Sequence, residues 1–236
     1  MNETENTAIA TDDELLKAAL ALQAASSSLL QNKPNMMSFK GGMLMVDGMP
    51  VPNGTADIIV LAVQPMRAFY EGEYNPAVTQ LPACYSYDMT KPHELAAKPQ
   101  NADCKSCPKN EWGSKGRGKA CKESAKLSVI SANAPFETAP MYQASVPVTS
   151  ITTVSDLTNR ASAAGKLVAQ FKCKLDVKPD AKTMFKVNIA PLGMVEGIPL
   201  NVILQRAKSA HDILKEPLPV IEDEPEEEAP KGKKKF

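Results

Sequence analysis

The chain reads as a mixed α+β domain with a β core and one inserted cysteine-bearing loop. Three observations predict this. Apolar residues alternate with the period of two that a half-buried strand requires: between 167 and 177, Leu167, Ala169, Phe171, Cys173, Leu175 and Val177 share one face. Helical spacing is confined to a few segments, one near each end and a short one between strands. Residues 72–125 are polar and proline-rich, without hydrophobic periodicity. A structureless stretch of that length is unusual in a compact domain, so something other than an apolar core must hold it.

The elements follow in order. Thr11-Asp-Asp-Glu14 is a capping box opening a helix whose apolar face runs through Leu15, Leu16, Ala19 and Leu20. From Phe39 a strand leads into a tight turn at Asp47-Gly48, where glycine supplies positive φ without strain. Residues 56–63 form a β-rich apolar run, and 66–70 continue it. The sheet signal resumes at 127–131 and 144–151. A short helix is expected from Ser155, ended by Gly165, and another strand over 184–192. Leu200, Ile203, Leu204, Ala207, His211 and Leu214 then line a terminal amphipathic helix. The expected organisation is a helical segment over 1–35, a β core over 36–216 holding the cysteine loop at about 82–127, and a disordered tail over 217–236.

At 236 residues the chain can bury one sizeable core, but an aliphatic one, since 43% of residues are hydrophobic and only 5% aromatic. Twenty-seven basic and 27 acidic residues cancel, so no global field selects a polyanion or a membrane. No apolar run approaches the ~18 residues of a membrane helix, and the acidic opening lacks the order of a secretory signal. The expected compartment is the cytosol, where five cysteines read as thiols or metal ligands rather than disulfides. With two histidines, no nucleophile motif and no paired His and carboxylate set, no enzyme is expected.

Four cysteines, Cys84, Cys104, Cys107 and Cys121, fall in the polar loop with spacing C-x19-C-x2-C-x13-C. The x2 knuckle lets two sulfurs face one ion about 2.3 Å away. A tetrahedral Zn2+ would replace the missing core of the loop, its binding energy becoming folding energy. An iron–sulfur cluster takes the same four thiolates and stands as the alternative. His93 is a conceivable substitute for Cys84, and Cys173, on the apolar face of a strand, suits a core thiol.

Between Cys107 and Cys121 lies Gly113-Ser-Lys-Gly-Arg-Gly-Lys119. Its frame approaches a phosphate-binding loop, but Ala120 stands where a Ser or Thr would bind Mg2+ and no buried strand precedes it. Nucleotide hydrolysis is therefore excluded. What remains is a flexible basic loop fixed at both ends: eight basic and three acidic residues between Lys98 and Lys126 leave a local charge of +5. Lys and Arg neutralise phosphates, and aromatic faces stack unpaired bases. The candidate contacts to single-stranded nucleic acid are Lys109, Trp112, Lys115, Arg117, Lys119 and Lys122, with Phe69, Tyr70, Tyr74, Tyr85 and Tyr87 as stackers. At the end of the chain Glu222, Asp223, Glu224, Glu226, Glu227 and Glu228 form an acidic run, followed by Lys233-Lys-Lys-Phe236. That composition predicts a disordered tail, able to meet the basic face or a partner protein.

Pro82-Ala-Cys-Tyr-Ser86, Cys104-Lys-Ser-Cys-Pro-Lys-Asn-Glu-Trp-Gly-Ser114 and Gly118-Lys-Ala-Cys-Lys122 resemble a cysteine module in small proteins of tailed bacteriophages. The whole chain is similar to phage single-stranded DNA-binding proteins. The resemblance implies an OB-like β-barrel, an acidic tail closed by an aromatic residue (here Phe236) that engages replication proteins, and work in the cytoplasm of an infected bacterial host. It is specific over 82–127 and architectural elsewhere, and the lysines before Phe236 depart from the purely acidic ending. The implied function is sequence-tolerant single-stranded DNA binding in replication or recombination, with structural zinc and no membrane partner. A zinc-stabilised factor docking on a host polymerase or replisome is the second reading, and an iron–sulfur protein the third.

Overall fold

The computed structural model describes residues 13, 16, 17, 35–72 and 80–218. The chain divides into two units, Met1–Asn35 and Met36–Phe236. In the first, Asp13, Leu16 and Lys17 are helical; the remainder of the helix expected there lies outside the described residues, as does the tail from 219 onward.

The second unit is a mixed α+β fold: a curled, half-barrel sheet with two helices. The strands are β1 (Met36–Ser38), β2 (Met45–Val46), β3 (Met49–Pro50), β4 (Thr55–Phe69), β5 (Cys84–Ser86), β6 (Cys121–Ser131), β7 (Tyr142–Pro147), β8 (Phe171–Asp180) and β9 (Met184–Met194), and the helices α1 (Ile151–Ala163) and α2 (Leu200–Lys215). Their order across the sheet is β3-β2-β1-β7-β6-β4-β8-β9, with β5 paired to the far end of β4. Pairing is antiparallel except between β1 and β7. The β2–β3 turn is Asp47-Gly48, both at positive φ (49° and 81°), as a two-residue hairpin with the native twist requires.

β4 is the spine. Its first half pairs with β8 and its last three residues with β5, while β6 runs along its other side. Ile58, Ile59, Val60 and Leu61 are all buried, because both faces of the sheet are covered there. Ile58 and Val60 join Leu127, Val129, Leu175 and Ile189 in one core with Val154 and Leu157 of α1. Ile59 and Leu61 face a second core containing Ile203, Ala210 and Leu214 of α2. The first core unites Met37 of β1 with Val187 of β9, which only a curled sheet allows. At the closing seam Gly42, at φ 75°, faces Phe185, whose nearest atom would lie 3.5 Å from an added Cβ.

A β-bulge between Val60 and Ala62 shifts the β4–β6 register. An extra residue reverses which face each later side chain takes. Before it Ile58 and Val60 point to the α1 core; after it Val63, Pro65, Arg67 and Phe69 share the face of Ala125 and Leu127.

Several expectations need correction. The strand expected from Phe39 is a 3-10 turn at Lys40–Gly42 before β2; the strand expected over 144–151 ends at Pro147, with Val148–Ser150 a 3-10 turn; and the strand expected from 167 begins at Phe171, after a 3-10 turn at Val168–Gln170. β6 begins at Cys121, well before 127, because Lys122, Glu123 and Ser124 are held by pairing with Ala68, Arg67 and Met66 and not by hydrophobic period. α1 begins at Ile151 rather than Ser155. The hydroxyls at its start serve the edge of β9 instead of capping: Ser150 Oγ accepts the Val187 N–H (2.9 Å) and Thr153 Oγ1 the Ile189 N–H (2.8 Å). That satisfies the edge strand; Gly165, at φ 63°, follows the helix as expected. On α2 the buried stripe is Ile203, Ala210 and Leu214, leaving Leu200 and Leu204 about half exposed. Among the described residues no helix is long and apolar enough to cross a membrane.

Candidate functional site

The end of β4 assembles the cysteine loop. Phe69 lies directly between Cys84 on β5 and Cys121 on β6, and residues opposite one another in a sheet project to the same face. One step back on that face, Arg67 lies between Ser86 and Glu123. The other two cysteines come from the knuckle. Its turn is set by Asp103, whose Oδ1 accepts the N–H groups of Lys105 (2.7 Å) and Ser106 (2.9 Å). The Cys104 N–H donates to Thr90 O at 2.7 Å. Past Cys107 a 3-10 turn, Pro108–Asn110, brings the Asn110 N–H to Cys107 O (2.9 Å) and its side-chain amide to Cys104 O (2.8 Å). The backbone of the knuckle is thus fixed by hydrogen bonds of its own.

All four thiols line one narrow cavity of about 20 Å3, walled by Phe69, Lys109 and Asn110 among others. Cys84, Cys104 and Cys107 are buried. Burial pushes the Cys84 thiol up, against a backbone N–H from Gln100, and likewise the Cys104 thiol, against the Ser86 hydroxyl. Burial, then repulsion from the other three cysteines, pushes Cys121 up to about 11. Arg67 opposes that rise at both Cys104 and Cys121. Among the described residues no group of three or more His, Cys, Asp or Glu stands out as a ready metal site; Phe69 lies in register between Cys84 and Cys121, and its ring walls the cavity the four cysteines line.

Cys173 is fully buried on β8 within the α1 core. His93 does not line the cavity; its Nδ1 accepts the Tyr85 hydroxyl (3.0 Å) and the Leu95 N–H (3.2 Å), and its ring stacks on Tyr85.

The glycine-rich segment, expected to be flexible, is a small hairpin. Lys115 and Gly118 exchange backbone hydrogen bonds (3.2 and 3.1 Å) around Gly116, whose φ of 59° the turn requires. Ser114 Oγ accepts the Ala120 N–H (2.9 Å) and donates to Glu111 O (2.6 Å). On this frame the candidate residues separate. Trp112 is 78% exposed, with Lys119 Nζ 5.8 Å from its ring centre. Lys119 also donates to Asn110 Oδ1 (3.2 Å) and lies 3.8 Å from Glu123. Lys109 lies over the Phe69 ring at 5.1 Å. Both are engaged inside the loop, whereas Lys115, Arg117 and Lys122 are exposed.

Tyr70, Lys115 and Lys122 line one open cleft of about 380 Å3 with Gly72, Gln80 and Ala120. Tyr85 is buried beside Met66, Ala68 and Ala96, so its ring is not offered to a ligand. Tyr87 is a strut: its hydroxyl donates to Glu216 O at the end of α2 (3.1 Å), and Lys126 lies over its ring. Tyr74 and the acidic tail lie outside the described residues. Sequence reasoning missed Arg67, Ser86, Gln100 and Glu123. For Arg67, Ser86 and Glu123 the only signal was a spacing of two from Phe69, Cys84 and Cys121, meaningless until strand and register are known, and Gln100 had none.

Comparison with family models, curated proteins and solved structures finds no match to this chain.

Proposed function

We propose that this chain is a non-enzymatic, sequence-tolerant single-stranded DNA-binding protein of a tailed bacteriophage, acting in replication or recombination in the cytoplasm of the infected host. The observation that carries the reading is the cleft beside the cysteine loop. An aromatic ring, Tyr70, and two ammonium groups, Lys115 and Lys122, line one open cavity, with Trp112 exposed on the same hairpin. A ring face stacks any base, and the ammonium groups meet the phosphates that flank it. The curled half-barrel sheet supports the OB-like core that the resemblance implies, and the acidic tail ending at Phe236 is the expected contact for replication proteins.

A structural zinc ion belongs to this reading, held by Cys84, Cys104, Cys107 and Cys121. Four thiols facing one cavity are the donor set Zn2+ takes, and the buried, unpartnered Arg67 Nε beside them is a donor awaiting a negative charge. When bound, the ion ties the knuckle to the ends of β5 and β6 and supplies the stability that this loop's sparse apolar packing does not.

The test is fluorescence anisotropy of a labelled oligo-dT against a duplex of equal length, across a salt series. Preference for oligo-dT, with log affinity falling linearly in log salt, supports the binder, and the slope counts the phosphates contacted. Trp112→Ala and Tyr70→Ala should each cost about 1–3 kcal/mol of binding. Equal weak binding to both probes, or none, overturns the reading in favour of a protein-interaction factor.

A further inference from the structure

Arg67 has no part in the cleft, yet it is firmly held. The bulge in β4 turns it onto the face shared by Phe69, Cys84 and Cys121, one step behind the cysteine row. Its side chain is only 17% exposed. Nη2 pairs with Glu123 Oε1 at 3.0 Å and Nη1 reaches Met89 O at 3.3 Å. Nε is buried with no partner. A buried donor left unsatisfied is costly, and so is burying a guanidinium unless its charge is answered. Glu123 answers it only in part, being shared with Lys119.

Cys84 and Cys121 lie on the same face of the sheet, and Arg67 is near enough to Cys104 and Cys121 to favour their ionised forms. Four thiolates on one divalent ion carry a net charge of −2, which a half-buried site must also have answered. Each side therefore lacks what the other has. Resting on the metal reading above, we propose that Arg67 is the built-in counter-cation of the four-cysteine site, its Nε–H donating to a bound thiolate while Glu123 holds the rest of the guanidinium in place. Arg67 is thus a positioning residue for the metal centre and not a ligand. Arginine suits the task because its planar fork serves Glu123, the Met89 carbonyl and a sulfur at once, which a lysine ammonium on a flexible stem does not. The same Glu123 links Arg67 to Lys119 and, through it, to the Trp112 ring, so the counter-cation and the exposed hairpin share a charge network.

The experiment uses the full chain. Co2+ loading reports thiolate ligation by its charge-transfer absorption, and zinc affinity is read by competition with a chelating dye from pH 5.5 to 8. No metal uptake by the unmodified protein, or uptake undiminished in Cys104→Ser/Cys107→Ser, overturns the metal reading itself. With metal bound, Arg67→Met should weaken zinc about tenfold or more. It should also move the pH of half-binding upward, since thiols without a nearby cation ionise less readily. Glu123→Gln, which keeps an oxygen to accept the Nη2 hydrogen bond but removes a negative charge near the sulfurs, should leave affinity unchanged or tighter. Arg67→Lys should recover part of the loss and, keeping the charge, carries the test if Arg67→Met does not fold. An affinity and pH profile in either Arg67 variant matching the unmodified protein, or weakening in Glu123→Gln equal to that in Arg67→Met, overturns the proposal.

Discussion

The Asp88 carboxylate shows how one side chain organises the strand-poor part of this chain. It accepts the N–H groups of Thr90 (2.8 Å) and Lys91 (3.0 Å) and the Ser86 hydroxyl (2.9 Å). These bonds favour the ionised form and hold its pKa well below the ordinary 3.8. A carboxyl whose folded pKa is depressed adds stability fully above its unfolded value and loses it as pH falls toward the folded one. Asp88→Asn should therefore be less stable at pH 6 by about 1 kcal/mol, and the gap should close as pH drops below 3.8, read as urea midpoints across pH. Residue type alone announced the cysteines, because four thiols at knuckle spacing are chemically distinctive wherever they lie. It did not announce Arg67 or Glu123, since a charged residue within a strand reads as solvent-facing until its neighbours are known. Nor did it separate Trp112 and Tyr70 from Tyr85 and Tyr87, four aromatics in similar polar contexts, of which two reach the surface and two brace the molecule.

At the scale of elements, β4 does most of the positioning, and its bulge decides which residues meet the cysteines. Were the strand regular, Arg67 and Phe69 would turn to the opposite face. The curl of the sheet depends on the seam at Gly42, where a left-handed φ of 75° brings the β1–β2 connection against Phe185. An added Cβ meets ordinary contact there, so the cost is backbone strain, and Gly42→Ala should lose about 1–2 kcal/mol. Chemical denaturation with an unchanged m-value would measure that loss; a stability equal to the unmodified protein would show that the seam does not constrain the curl. Strands at 56–63 and 184–192, and the part of 167–177 from Phe171 on, were legible because both-sided burial or alternation leaves a pattern in composition. The first half of β6 was not, because Lys122 to Ser124 owe their extended form to β4 beside them. α1 was found but displaced, its leading hydroxyls being engaged by β9.

Over the whole molecule, stability is divided between a continuous aliphatic core and a loop held chiefly by hydrogen bonds. Leu127, Val129, Leu175 and Leu214 are wholly buried, and none of them lines the cysteine cavity. Metal removal should thus act locally. A strong chelator should raise amide hydrogen exchange across 84–121 by tenfold or more while leaving 127–131 and 171–176 protected, and loss of protection throughout would show that the ion supports the whole fold. The sequence by itself determined the α+β class, the clustered thiols and the local charge of +5, because period, spacing and composition are properties of the chain in one dimension. Only the tertiary structure decided which thiols, rings and ammonium groups face one another. That depends on strand partners, on one bulge that reverses a face and on the closure of the sheet, and each of these is a contact between residues far apart in the chain.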